Sequence, residues 1–276
     1  MAKWTDLRDQ ILEREVGNLG KRIFLVEGKD DVLCYEAALR SHVGHTEWNT
    51  QWSVIDANGK ENVLKILKDQ PTWVGLVDRD ELSDEEVQAL QAQYPNLHIL
   101  PRYCMESYLI VPDELWNMIP SHYRDNFRAG ESKFKQMITR DLQKWVRQGV
   151  LWSVVNPLQQ ELISVGFKDH LLDFQIAQDE TKIKQKLEEW SSKLDADRLF
   201  STFQTRLEEV LQLPEPVQLT RWVHGKDFWK GRVQPVLRLL MGQRNNWDTP
   251  YDIELWQHLK LPGELIPIFQ AITQPQ

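Results

Sequence analysis

The chain has 276 residues, of which 41% are hydrophobic and 27% are charged, and its formal net charge is −8. These values exclude wholesale disorder and argue against a generally basic surface that coats nucleic acid, but they leave room for local basic patches. The length allows one large domain or two smaller ones.

Strand and helix signals alternate through the first part of the chain. The apolar spacing predicts helices at 4–16, 31–40, 60–69 and from 84, and strands at 22–27, 52–56, 73–78 and 97–100. Strands that alternate with helices indicate an α/β fold with a mostly parallel four-stranded sheet and helices on both faces. The carboxyl ends of such strands are the usual place for a ligand.

Helical patterns dominate the rest of the chain. They cover 105–110, 131–148, 157–165, 180–192, 196–211 and 231–241, and a short strand is predicted at 217–223. We therefore divide the chain into an N-terminal helix (1–21), an α/β domain (22–112) and a mainly helical C-terminal domain (113–276).

The compartment follows from what the sequence does not contain. It has no secretory signal pattern and no apolar run near the roughly 20 residues of a membrane helix. The two cysteines, Cys34 and Cys104, lie in apolar contexts and are expected to be buried free thiols in a reducing environment. We expect a cytoplasmic protein with no membrane association.

Two apolar strands end abruptly in carboxylates. The first is followed by Glu27, Gly28 and, four residues after Glu27, Asp31; the second is followed by Asp78 and Asp80. In an extended segment, residues i and i+2 point to the same side, so both aspartates are expected to face one ion. Clustered acids repel one another, and a hard divalent ion is the usual compensation, so the pattern indicates Mg²⁺ or Mn²⁺ and phosphoryl chemistry. Asp31 has a plainer interpretation as a helix N-terminal charge.

These residues together resemble the TOPRIM domain of topoisomerases, bacterial primases and overcoming-lysogenization-defect (OLD) nucleases, over residues 22–110. The resemblance implies that Glu27 is a general acid/base or metal ligand, and that Asp78 and Asp80 are Mg²⁺ ligands. Asp31 matches the additional acid of the OLD-like version. Glu106, in the segment from Pro101 to Leu109, would be a further metal ligand, although it is also compatible with an ordinary helix acid.

The second half contains Arg221-Trp222-Val223-His224-Gly225-Lys226-Asp227. The Gly-Lys pair is not a phosphate-binding P-loop, because the upstream glycine is missing. The segment resembles a His-Gly-Lys-Asp segment in a TOPRIM/OLD-like family often encoded beside ABC-type ATPases in prokaryotic anti-phage defence. Lys226 would neutralise charge on a scissile phosphate; the alternative is a surface lysine in a turn.

Two local patches are basic despite the acidic total. The first places four cations on one face of the helix predicted at 131–148: Lys133, Arg140, Lys144 and Arg147. The second interleaves cations with aromatic residues, and its members are Arg221, Lys230 and Arg232 with Trp222, Phe228 and Trp229. Such patches suit nucleic-acid backbones and unstacked bases, whereas solvated amphipathic helices give the same pattern.

The sequence predicts a metal-dependent TOPRIM/OLD-like nuclease that hydrolyses DNA or RNA and acts as a defence effector controlled by a separate ATPase. Two alternatives stay open: a non-catalytic subunit that binds metal or phosphate to regulate an ATPase assembly, and a small TOPRIM ribonuclease of RNA maturation. Three further alternatives stay open: whether the substrate is DNA or RNA, which sequences are preferred, and whether the protein forms a homo-oligomer.

Overall fold

A computed structural model describes residues 4–43, 48–167, 178–243, 251–257 and 261–274. It confirms the predicted α/β architecture with a four-stranded, all-parallel sheet and helical structure after it. The chain divides into two compact units, which are the sheet unit (Met1–Arg140 with Gly225–Gln276) and the helical unit (Asp141–His224).

The sheet consists of β1 (Arg22–Val26), β2 (Trp52–Asp56), β3 (Val74–Val77) and β4 (Leu97–Ile99), in the spatial order β2-β1-β3-β4. Each neighbouring pair is parallel; Val26 pairs with Asp56, and Phe24 with Val74. The chain moves from β1 outwards to β2, and then returns to place β3 on the other side of β1. The strand order therefore reverses between β1 and β3, which is where such sheets bind ligands.

The helices of the first part of the sheet unit precede the sheet or connect its strands. They are α1 (Trp4–Ile11, continued by a π-helical turn at Leu12–Gly17), α2 (Lys29–Val43), α3 (Trp48–Gln51), α4 (Lys60–Asp69) and α5 (Asp84–Gln93). The helix predicted from 84 begins as expected, because the Ser83 hydroxyl accepts from the Glu86 N–H and the Glu86 carboxylate accepts from the Ser83 N–H.

Apolar side chains of the central strand alternate between the two faces of the sheet. Ile23 and Leu25 belong to a core that also contains Ile66 of α4. On the opposite face, the ring of Phe24 lies 5.6 Å from that of Tyr35 in α2 and 6.2 Å from that of Phe269. Helices therefore cover both faces, and residues 23–26 of β1 form a continuous apolar run because neither face is exposed to solvent.

The remainder of the sheet unit is helical. It contains a 3₁₀ turn at Met105–Tyr108, α6 (Pro112–Met118), α7 (Ser121–Asn126), α8 (Gly130–Thr139), α13 (Gly225–Phe228, continued by a π-helical turn at Trp229–Val233), α14 (Gln234–Met241), α15 (Tyr251–Gln257) and α16 (Ile266–Thr273). Because the C-terminal residues pack with the sheet, these units differ from the division that we predicted at residue 112.

The helical unit contains α9 (Leu142–Ser164), α10 (Glu180–Lys193), α11 (Ala196–Leu211) and α12 (Glu215–Val217, continued by a π-helical turn at Gln218–Trp222). Pro157 lies inside α9, where it removes one backbone donor from the helix. The Arg206 guanidinium compensates, since it donates to the Ser153 carbonyl oxygen at 2.9 Å. The helix continues through the proline, which joins the two separately predicted segments.

Two predicted elements were wrong. The strand predicted at 217–223 is helical up to Trp222. The helix predicted at 131–148 is broken in two: Arg140 leaves the helical region with ψ 130°, and Asp141 has a left-handed φ of 63°. Aspartate adopts the left-handed conformation more readily than most residues, and these two backbone conformations end the helix although the apolar spacing continues.

No helix in the described ranges is both long and apolar enough to cross a lipid bilayer.

Candidate functional site

A cluster of acids and lysines lies at the carboxyl ends of β1 and β3. Glu27 directly follows β1, and Asp78 directly follows β3. Their strands are neighbours, so the two residues meet: a Glu27 carboxylate oxygen (Oε1) accepts a hydrogen bond from the Asp78 N–H at 2.8 Å. The cluster has two sides, defined here by the lysine that each contains.

The Lys60 side consists of Glu27, Asp80 and Lys60. The Lys60 ammonium (Nζ) lies 2.5 Å from an Asp80 carboxylate oxygen (Oδ2), 2.7 Å from the Asp78 carbonyl oxygen and 3.8 Å from Glu27 Oε1. Burial alone would lower the pKa of Lys60, but the carboxylates of Asp80 and Glu27 outweigh burial and raise it. This lysine is therefore charged at neutral pH; it is hydrogen-bonded to residues that follow β3 and forms an ion pair with Glu27, which follows β1.

The Lys226 side consists of Asp31, the Asp78 carboxylate, Glu106 and Lys226. Lys226 Nζ lies 3.7 Å from Asp78 Oδ2, which is an ion pair without a hydrogen bond. The other Asp78 oxygen, Oδ1, accepts from the Met105 N–H at 3.2 Å. Glu106 Oε2 is buried and makes no hydrogen bond with the described residues. Burial alone would lower the pKa of Lys226, but the carboxylates of Glu106, Asp78 and Asp31 outweigh burial and raise it. The Lys226 side is therefore compensated by charge without hydrogen bonds to the lysine among the described residues, whereas the Lys60 side has both.

Backbone contacts fix the loops that carry these side chains. The Gly28 N–H donates to Asp31 Oδ2 at 2.9 Å, so Asp31, in the first turn of α2, satisfies the backbone N–H of the residue that precedes the helix. The Gly59 N–H donates to the Glu27 carbonyl oxygen at 2.7 Å, and Gly59 has a left-handed φ of 112°. The loop before α4 is thereby tied to the end of β1, which places Lys60 in the cluster.

Asp80 does not continue the extended strand that the Asp-x-Asp pattern led us to expect. Its φ is 52°, and its N–H donates to the Tyr103 carbonyl oxygen at 2.8 Å. The Asp78 carboxylate consequently belongs to the Lys226 side, while the Asp80 carboxylate contacts Lys60. The premise that both carboxylates face one ion from an extended segment is not met.

Burial dominates the electrostatics of the acids. It raises the pKa of Asp31 to about 6, a shift that Lys226 opposes and Glu106 increases. It also raises the pKa of Asp78 well above its usual range, with Asp31 and Glu27 adding to the shift. The pKa of Glu27 is raised by burial and lowered in part by Lys60. Carboxylates held in this way are typical of functional sites, although structural networks produce them too.

The chemistry of the donors suits Mg²⁺ or Mn²⁺, which prefer carboxylate oxygens. Glu106 Oε2, a buried acceptor with no partner among the described residues, is the kind of atom that a cation would satisfy. Within those same residues, however, no three or more His, Cys, Asp or Glu side chains form a group that could hold a metal ion as they stand. Lysines lie between the acids instead, so binding an ion requires these side chains to rearrange.

Lys226 is brought to the site by a close backbone approach. The preceding Gly225 is buried against the 3₁₀ turn, where an added Cβ would lie 2.5 Å from the Cys104 sulfur and 3.1 Å from the Ser107 hydroxyl. Only glycine permits this approach. Gly225 therefore positions Lys226 at the site, which gives the Gly-Lys pair a role that does not involve a P-loop.

The first basic patch does not exist as one helical face, because the helix is broken at Asp141. Lys133 and Arg140 belong to the sheet unit, and Lys144 and Arg147 belong to α9 of the helical unit. There, Lys144 and Arg147 lie at an apolar groove of about 590 Å³ between α9 and α11. The Arg147 guanidinium lies over the ring of Phe203, 5.0 Å from its centroid.

The second patch has a largely buried aromatic component. Phe228 and Trp229 are core residues, so they do not serve as stacking platforms for bases. Lys230 is exposed, whereas the Arg232 side chain donates to the Ile138 carbonyl oxygen at 3.2 Å. Arg221 lies in the helical unit and is partly buried. The predicted nucleic-acid role of these cations stays a prediction.

The sequence analysis missed Lys60, which has the closest contacts of any cation in the cluster. One signal could have identified it: Lys60 is the first residue of α4, and a positive charge at a helix N-terminus is unfavourable without an acidic partner. Cys34 and Cys104 are buried free thiols, as expected.

We compared the chain with models of protein families, with curated proteins and with solved structures, and none of the three comparisons found a match.

Proposed function

We propose that this chain is a metal-dependent nuclease of the TOPRIM/OLD type that hydrolyses phosphodiester bonds in DNA or RNA. The observation that carries the proposal is the burial of Asp31 and Asp78 beside Glu27, Glu106 and Lys226 at the point where the strand order reverses. Burying several carboxylates together is costly unless cations compensate them, and Glu106 Oε2 has no hydrogen-bond partner among the described residues.

In this proposal Asp31, Asp78 and Glu106 would hold Mg²⁺ or Mn²⁺. The bound ion would activate water and stabilise negative charge on the phosphate. Glu27, whose carboxylate is oriented by the Asp78 N–H and whose pKa is raised by burial, is suited to accept a proton from the attacking water. Lys226, with 43% of its side chain exposed, can reach a phosphate oxygen from the solvent side.

The proposal also includes control by a separate ABC-type ATPase. This part rests on the resemblance of the His224-Gly225-Lys226-Asp227 segment to the defence-associated family, together with the lack of a nucleotide-hydrolysis motif in the sequence. The biological role as a defence effector has the same basis.

A second candidate is a non-catalytic subunit that binds metal or phosphate. It is favoured by one observation: the acids of the cluster are interleaved with Lys60 and Lys226, and no group of the described residues is ready to hold an ion. The lysines would then be structural partners of the acids, or a binding site for a phosphate group.

Cleavage assays separate the two candidates. The purified chain is incubated with plasmid DNA, linear DNA and total tRNA, in the presence of Mg²⁺, Mn²⁺ or EDTA. We expect metal-dependent cleavage that both Glu27→Ala and Asp78→Ala reduce by at least about 100-fold, the scale of losing one essential electrostatic contact. Glu85→Ala is the matched control, because Glu85 is an exposed acid of α5 outside the cluster.

The substrate that is cut decides between DNA and RNA. Cleavage that survives both substitutions, or that EDTA does not affect, would contradict the proposed site. If none of the three substrates is cut while the ion still binds, the non-catalytic candidate is favoured, and the next assay adds the ATPase partner.

A further inference from the structure

We propose that Lys60 is a built-in cation of the site that takes the place of a second metal ion, so that the protein binds a single divalent ion, on the Lys226 side. This inference rests on the proposed function, because it concerns the ion that the nuclease would use. It assigns Lys60 a role as a positioning residue and revises the expectation that Asp80 is a metal ligand.

The contacts of Lys60 resemble those of a bound cation. Its Nζ is surrounded by Asp80 Oδ2 at 2.5 Å, the Asp78 carbonyl oxygen at 2.7 Å and Glu27 Oε1 at 3.8 Å. These are two carboxylates and a carbonyl, which are the oxygens that hard divalent ions choose. The ammonium and an ion that used the same oxygens would exclude each other.

The position of Lys60 at the start of a helix indicates that its positive charge has a function in the cluster. As the first residue of α4, it places a cation at the positive end of the helix macrodipole, which costs free energy on its own. Its side chain is only 23% exposed, so it also loses hydration. The two strand ends offset both costs by supplying oxygens to the ammonium.

The two lysines differ in how firmly they are held. Lys60 makes two hydrogen bonds, and the turn through Gly59 is itself bonded to the Glu27 carbonyl oxygen. Lys226 makes no hydrogen bond with the described residues: it lies 3.7 Å from Asp78 and interacts by charge with Glu106 and Asp31 as well, and 43% of its side chain is exposed. An ion that approaches Asp31, Asp78 and Glu106 can therefore replace Lys226, because it takes over the charge that compensates these acids, whereas displacing Lys60 would break two hydrogen bonds as well.

Counting bound ions tests this proposal without depending on cleavage. Isothermal titration calorimetry with MnCl₂ on the full chain, in the absence of nucleic acid, is expected to give a single ion for the wild type and for Lys60→Arg. Lys60→Met removes the charge but keeps much of the length, and is expected to admit a second ion. Lys65→Met, which removes an exposed lysine one turn along α4, is the matched control and keeps the single ion.

A second pair of variants keeps the test decisive if Lys60→Met does not fold. Asp80→Asn is expected to retain the single ion with an affinity within about threefold of wild type, while Asp78→Asn is expected to weaken binding by at least about 10-fold, the lower range for disturbing a metal site. The proposal is overturned if the wild type binds two ions, if folded Lys60→Met still binds one, or if Asp80→Asn abolishes binding.

Failure of this inference can be told apart from failure of the proposed function. Cleavage accompanied by two bound ions would contradict the Lys60 assignment and support the nuclease proposal. A single bound ion without cleavage of the three nucleic-acid substrates favours the non-catalytic candidate over the nuclease and supports the Lys60 assignment. Absence of any bound ion overturns both.

Discussion

The Lys60 side and the Lys226 side of the acid cluster contain similar residues, but they compensate charge in different ways. On the Lys60 side, hydrogen bonds at 2.5 and 2.7 Å join the lysine to Asp80 and to the end of β3. On the Lys226 side, the ion pair with Asp78 is 3.7 Å long, and a buried oxygen of Glu106 has no hydrogen-bond partner among the described residues. The difference teaches that a group of acids is not by itself a metal site, because neighbouring cations decide which acids remain available.

Among the substitutions that compare the two sides, replacing Lys226 should have the largest effect. Lys226→Met removes the only cation of the described residues on its side of the cluster, and we expect cleavage to fall by about 100-fold, the scale of losing a charge that stabilises the transition state. Lys226→Arg should recover much of this loss, because it restores the charge. The measurement is kcat and KM on the substrate identified in the cleavage assay; a change confined to KM would show that Lys226 only binds the substrate.

Substitution of Gly225 should disturb the Lys226 side and spare the Lys60 side. The added Cβ of Gly225→Ala would meet the sulfur of Cys104 at 2.5 Å, and overpacking of this kind costs about 1–3 kcal/mol of unfolding free energy. Urea unfolding measures the loss. Gly263→Ala is the control, because a Cβ there has no neighbour within 4 Å among the described atoms. Equal stability of both variants would contradict the close approach.

Neutralising one acid on each side should change stability in opposite directions. In EDTA at pH 7, Asp31→Asn should stabilise the protein by about 1–2 kcal/mol, because it removes a buried charge and keeps an acceptor for the Gly28 N–H. Asp80→Asn should destabilise it by about 1 kcal/mol, because Lys60 loses its charged partner, while asparagine still tolerates the left-handed backbone. Urea midpoints that shift in the same direction would refute the division into two sides.

The smallest effect is expected from Glu106→Gln. The substitution keeps the shape of the side chain and removes the charge beside Asp31, so the metal-free stability should change by less than about 1 kcal/mol. Mn²⁺ affinity should nevertheless fall by about 10-fold, because Glu106 is assigned to the ion. Titration calorimetry distinguishes this result from unchanged affinity, which would remove Glu106 from the site.

The strands could be predicted closely because each is a short apolar run between turn signals, and all four were confirmed within a residue or two. The helices α4, α10 and α11 follow the apolar spacing equally well. The break between α8 and α9 could not be predicted in this way, because the apolar pattern runs through it and the helix ends through the backbone conformations of Arg140 and Asp141.

The sequence by itself determined that Glu27 and Asp78 lie at the carboxyl ends of strands in a mostly parallel sheet, and therefore at one edge of it. The tertiary structure decided that β1 and β3 are neighbours, so that the Asp78 N–H reaches Glu27. Tertiary structure alone decided which acids meet which cation. Lys60 reaches the cluster through a loop tied to β1, and Lys226 reaches it from nearly 150 residues downstream of Asp78 through the close approach of Gly225. Long-range contacts of this kind leave no periodic signal, because they depend on packing between elements and not on spacing within one.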